Sequence, residues 1–97
     1  MKVLVENLRN KNGNEVKNQY MVFTLVNGDS IKIYQSYNSE ILRWENGELV
    51  KIGKDWNRSR TTMKYVKQLT GKGKKEIEKL IEEKFKYIDF IEAYSSI

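Results

Sequence analysis

The sequence predicts an α+β fold, an antiparallel β-meander of about five to six strands with two helices packed on one face. Two observations carry that expectation. Asn-Gly dipeptides stand at Asn12-Gly13, Asn27-Gly28 and Asn46-Gly47, each between apolar, β-prone residues. Asn-Gly suits a type I′ hairpin turn because both central residues need φ > 0. From residue 54 onward the texture changes to a basic segment with helical spacing and no further strand punctuation. Proline is absent, so turns fall to Gly, Asn, Asp and Ser. A chain of 97 residues reads as one domain, with residues 1–53 as the meander and 54–97 as a helical, basic half.

The first strand is expected over Lys2 to Leu8, with Val3 and Val5 on one face and Lys2 and Glu6 on the other. A polar loop follows, Arg9 to Asn18, into which the hairpin can extend. Tyr20 to Val26 is the most apolar strand and the expected centre of the sheet. The second Asn-Gly turns it into Ile31 to Gln35, where Ile31 and Ile33 alternate with Lys32 and Tyr34. Gln35 to Ser39 is polar and turn-prone and reads as a connection. Glu40 to Trp44 and Glu48 to Ile52 flank the third Asn-Gly and form the last hairpin.

A helix is expected to start near Ser59, with Ser59 or Asn57 as cap and Gly71 or Gly73 as stop. Met63, Val66 and Leu69 recur at helical spacing and form its core side. At 3.6 residues per turn, Arg60, Lys64 and Lys67 fall within about 60° of arc on the opposite side. A second helix begins at Lys74 or Lys75 and turns Ile77, Leu80 and Ile81 inward. Beyond residue 85 two patterns compete. Ile77, Ile81, Phe85, Ile88 and Ile91 suit one long amphipathic helix, whereas the β-branched and aromatic run from Phe85 to Ile91 suits a return to the sheet. Residue type favours a short helix followed by a final strand.

Composition removes much chemistry. There is no cysteine and no histidine. Thiolate nucleophiles, disulfides, imidazole general bases and ordinary zinc sites therefore have no residues to build them. The expectation is a protein that is not an enzyme and carries no cofactor or metal. The first six residues meet charge before any long apolar run, which argues against a secretory signal. No stretch approaches the ~20 apolar residues of a membrane span. With the missing cysteines, this points to a reducing, cytoplasmic setting.

The net charge of +5 is unevenly placed. Residues 1–50 balance, with six basic and six acidic side chains. Residues 51–75 hold nine basic groups against Asp55 alone, and residues 76–97 hold three basic and six acidic groups. The excess positive charge thus lies in one quarter of the chain, which bears on partners.

Three elements carry a family resemblance: Gln35-Ser36-Tyr37-Asn38-Ser39, then Gly53-Lys54-Asp55-Trp56-Asn57-Arg58-Ser59-Arg60-Thr61-Thr62, then Lys64-Tyr65 followed by Leu69. In these the chain resembles small uncharacterised proteins encoded by phages and plasmids of low-GC bacteria. The resemblance runs from about residue 20 to residue 85. Arg58 departs from it, standing where the relatives carry an aromatic residue. The resemblance implies a mobile-element accessory protein in the cytoplasm of a bacterial host cell, and not a housekeeping enzyme.

The sharpest candidate site is basic. Arg60, Lys64 and Lys67, supported by Arg58 and by Lys72, Lys74 and Lys75, form a stripe able to track phosphates or to meet an acidic protein surface. Free N–H groups at the helix start near Ser59 and Thr61 would add an anion site. The plainer alternative is a solvated helix face. Trp44, Trp56, Tyr34, Tyr37 and Tyr65 offer a base-stacking platform, against the simpler reading that Trp56 packs before the helix as a staple. Tyr34 and Tyr37 are the aromatics expected at an exposed binding surface. Ser36, Asn38 and Ser39 have no general base near them in sequence and are explained by turn chemistry. Gly71-Lys72-Gly73-Lys74 lacks the full phosphate-loop pattern. The carboxylates of the second helix follow no metal-ligand spacing.

Two functional classes follow. One is an accessory protein that binds a host protein assembly, inhibiting a nucleic-acid-handling defence complex in the manner of an anti-CRISPR. The other is direct DNA or RNA binding through Arg58–Lys75. A homodimer joined through a strand edge is a further possibility, because the edges carry few guards.

Overall fold

The computed structural model describes residues 2–85, in an α+β arrangement of five strands followed by two α-helices and a π-helical turn. Strands β1 (Lys2–Arg9), β2 (Glu15–Val26), β3 (Asp29–Ser36), β4 (Ser39–Glu45) and β5 (Glu48–Ile52) form one antiparallel sheet in sequence order. Helices α1 (Arg60–Thr70) and α2 (Lys74–Leu80) follow, and a π-helical turn, Ile81–Phe85, continues α2. The chain divides into two units, Met1–Trp56 and Asn57–Ile97. That boundary lies close to the change of texture at residue 54. Of the final strand expected from the run Phe85 to Ile91, Phe85 ends the π-helical turn and the rest lies outside the described residues.

Hairpin chemistry sets the sheet. Asn27-Gly28 and Asn46-Gly47 both have two residues at positive φ (51° and 85°, 52° and 85°), the pairing a type I′ turn requires. Asn12-Gly13 behaves differently, because only Gly13 has positive φ. The Gly13 N–H bonds the Asn10 carbonyl at 2.9 Å, and Asn10 Oδ1 accepts from the N–H groups of Asn12 and Asn14. Side-chain capping by Asn10 thus organises a longer loop in place of a two-residue turn.

The first hairpin extends deep into the expected polar loop, so β2 is twelve residues long. Its register shifts between Asn7 and Arg9: β2 advances from Tyr20 to Glu15 while β1 advances only from Asn7 to Arg9. The surplus forms a bulge in which Asn18 has φ 64°. The Asn7 side-chain amide spans it, donating to the Val16 carbonyl at 3.0 Å.

Expectation and structure part at the middle of the sheet. Tyr20–Val26 is not the centre; β3 is. Gln35 and Ser36 are not a connection but the end of β3, and Ser36 is fully buried. Only Tyr37 and Asn38 turn the chain, with Tyr37 at φ 55° and its N–H bonded to the Asn18 carbonyl at 2.8 Å. Polar residue type masked this strand, since a serine with satisfied bonds can sit inside a sheet.

One face of the sheet is crossed by side-chain rows of very different exposure. The row Glu6, Met21, Tyr34, Leu42, Ile52 is buried from Met21 onward. The next row, Leu4, Phe23, Lys32, Trp44, Leu49, is buried only at Trp44. On the side of Met21, Gln19 opposes Ser36 and both are buried, with the Tyr34 hydroxyl donating to Gln19 Oε1. That bond satisfies a polar group that burial would otherwise penalise.

Gly53 closes the unit's last turn. Its N–H donates to the Ile41 carbonyl at 2.7 Å, and its carbonyl accepts from the Trp56 N–H at 3.1 Å. Trp56 is buried there. Asp55 Oδ2 accepts from the Ser39 hydroxyl at 3.0 Å.

Candidate functional site

Helix α1 begins where its sequence says it should. Ser59 is extended (φ −149°, ψ 164°), and its hydroxyl accepts from the Thr62 N–H at 3.1 Å while sharing a 2.9 Å bond with Thr62 Oγ1. Gly71 ends the helix in the left-handed region (φ 72°), with its N–H on the Lys67 carbonyl. The buried face consists of Thr62, Tyr65 and Val66. Met63 and Leu69 flank it and are only half-buried. Spacing places Met63 with Val66 and Leu69 on the core side and leaves Tyr65 among the aromatics offered for stacking. Both assignments shift by part of a turn.

The opposite side is cationic, as the wheel predicts. Arg60, Lys64 and Lys67 are all exposed, at positions i, i+4 and i+7 of one helix face. No acidic residue occupies the first turn of α1. Lys64 Nζ also lies 5.5 Å from the centre of the Tyr65 ring. Arg58 is exposed one residue before the cap, and Lys74 and Lys75 are exposed in the first turn of α2. Lys72 is half-buried in the connection, its N–H held by Thr70 Oγ1 at 3.1 Å. All seven expected cations therefore belong to the unit Asn57–Ile97.

The helix start is less open to anions than the sequence implies, since the Ser59 hydroxyl already takes the Thr62 N–H. Aromatic candidates fare worse still. Tyr34 is fully buried, because β-strand alternation turns it into the Met21 row, and it offers no binding surface. Trp44, Trp56 and Tyr65 are buried too. Tyr37 alone keeps the expected exposure, at 49%, and it lies in the turn of the β-sheet unit. Among the described residues, no group of three or more His, Cys, Asp or Glu could hold a metal ion. No helix of the described residues is long and apolar enough to cross a membrane.

A second surface lies at the sheet edge, and its exposed apolar residues were not among the expected site residues. Val3, Leu4 and Val5 are each more than half exposed, and Phe23 and Leu25 lie exposed on the neighbouring strand. Alternation puts Val3 and Val5 on one face of β1 and Lys2 and Glu6 on the other, without saying which is covered. The exposure of both valines follows from the position of β1 at the sheet edge, which no periodicity reports.

These features define an α+β chain of two units, in which Arg60, Lys64 and Lys67 line an exposed cationic face of α1. The chain belongs to a family of unknown function, DUF8033, whose sequence profile matches residues 3–86. A comparison with curated proteins and one with solved structures each found no match.

Proposed function

We propose that this is a non-catalytic accessory protein of a mobile element that binds a macromolecular partner through the cationic side of α1. The best specific target is an acidic protein surface on a host nucleic-acid-handling defence complex, which the protein would inhibit in the anti-CRISPR manner. One observation carries the reading: Arg60, Lys64 and Lys67 stand exposed in line, with no acidic residue in the first turn to offset them. Such a line attracts an acidic surface and steers its approach. The lack of histidine and cysteine and the phage and plasmid resemblance support a binding role over a catalytic one. Burial of Tyr34, Trp44, Trp56 and Tyr65 withdraws the stacking groups that single-stranded nucleic acid would use.

Direct binding of duplex DNA or RNA through Arg58–Lys75 is the second reading, favoured by the concentration of charge in residues 51–75. Fluorescence-anisotropy titration with random duplex DNA, single-stranded DNA and RNA across a salt series separates the two. The proposal expects no retention at ~150 mM salt, where exposed charges are screened beyond about 8 Å. It also expects inhibition of a purified defence nuclease that Arg60→Glu with Lys64→Glu abolishes. Tight binding with a steep salt slope, lost in the same variant, would make nucleic acid the partner instead.

A further inference from the structure

We propose that the protein forms a two-fold dimer in which β1 of one copy pairs antiparallel with β1 of a second, making one continuous sheet of both meanders. The surface is independent of the cationic helix. β1 is an edge strand, and its outer side has no partner among the described residues. It presents Val3 at 57%, Leu4 at 54% and Val5 at 57% exposure. Natural edges are guarded by bulges, prolines or unmatched charges. Here the regular stretch runs unbroken from Lys2 to Asn7 before the register shift, with charges only at Lys2 and Glu6.

Those two charges identify the occupant. Lys2-Val3-Leu4-Val5-Glu6 is self-complementary when read antiparallel. With the two-fold axis at Leu4, Leu4 meets Leu4 of the partner subunit, and Val3 meets Val5 of the partner subunit. Lys2 then lies opposite Glu6 of the partner subunit, at both ends of the pairing. Moving the axis by one residue loses the match, since Leu4 would then face Glu6 or Lys2. Parallel pairing in register would set Lys2 against Lys2 and Glu6 against Glu6, which is unfavourable.

The sheet face supports the same register. Leu4 continues into Phe23, which is 36% exposed, so the apolar row of each copy would run into the other's across the axis. Leu25, 49% exposed and paired with Lys2, lies on the same face, with Lys2 between it and Glu6 of the partner subunit. On the opposite face, Val5 and its cross-strand neighbour Val22 would meet Val3 of the partner subunit. An isologous contact of this kind closes at two copies.

Sedimentation velocity over a concentration series tests the proposal, the monomer being 11.5 kDa. The expected result is a reversible dimer. Lys2→Glu or Glu6→Lys alone should raise its dissociation constant roughly tenfold, because each converts two matched charge pairs into two repelling ones. Lys2→Glu combined with Glu6→Lys in one chain restores the palindrome and should restore the dimer. An equimolar mixture of the two single variants should form a heterodimer more readily than either associates with itself. Both positions are exposed, so the fold tolerates these changes. A monomer at every concentration would overturn the proposal, and so would self-association indifferent to all three variants.

Discussion

Gly53 lies against the main chain of Glu40 so closely that a Cβ there would overlap the Glu40 carbonyl oxygen and sit 3.2 Å from its carbon. At the same point the Gly53 N–H bonds the Ile41 carbonyl at 2.7 Å. The crowding atoms are backbone and cannot rotate away. Gly53→Ala should therefore lower stability by about 1–3 kcal/mol, as overpacking a filled site does. Urea denaturation checks this, and an unchanged midpoint would show that β4 yields more easily than its hydrogen bonding implies.

Tyr34→Phe removes the hydroxyl that donates to Gln19 Oε1 while leaving the buried ring in place. Stranding a buried acceptor costs about 1–3 kcal/mol. Tyr34→Phe combined with Gln19→Leu should recover part of that loss, since both polar partners are then gone. A double-mutant cycle in urea measures the coupling.

Asn46 combines two roles that substitution can separate. Its backbone takes φ 52° in the last hairpin turn, and its N–H bonds the Ser30 carbonyl at 2.7 Å. Its side-chain oxygen accepts from the Ser30 N–H at 2.9 Å, and its amide donates to Asp29 Oδ1 at 3.2 Å. The side chain therefore ties the β4–β5 turn to the β2–β3 turn. Asn46→Gly keeps the backbone conformation and deletes the tie. The expected loss is about 0.5–1.5 kcal/mol for each of the two side-chain bonds, read from the shift in thermal midpoint.

Ser59→Ala should cost about 1 kcal/mol, because it removes the cap bond to the Thr62 N–H and the bond shared with the Thr62 hydroxyl at the start of α1. Ser59→Asp should retain the cap and add a favourable charge at the helix start. Amide exchange at Thr62 distinguishes the two variants: fast in the first, slow in the second. Ser59→Asp should also weaken any partner that reads the cations at Arg58 and Arg60, which links helix stability to the proposed function in one experiment.

Much of this was legible in sequence because the signals are local. An Asn-Gly pair at positive φ, a serine cap followed by helical spacing, and a left-handed glycine stop act over a few residues. They set five strands and two helices in order, and they put Arg60, Lys64 and Lys67 on one helix side before any packing is known. The first loop was harder to read, because Asn10 side-chain bonds compete with the two-residue turn that Asn12-Gly13 advertises.

What the tertiary structure alone decided is which faces are covered and which strand ends the sheet. Alternation tells which residues share a side of a strand, not whether a neighbour lies over it. So Tyr34 and Ser36, polar at the tip, are fully buried on β3, while Val3, Leu4 and Val5 are exposed on β1. The local pattern of β1 is as apolar as that of a core strand. Only its position beyond β2, with no sixth strand beside it among the described residues, leaves its edge open.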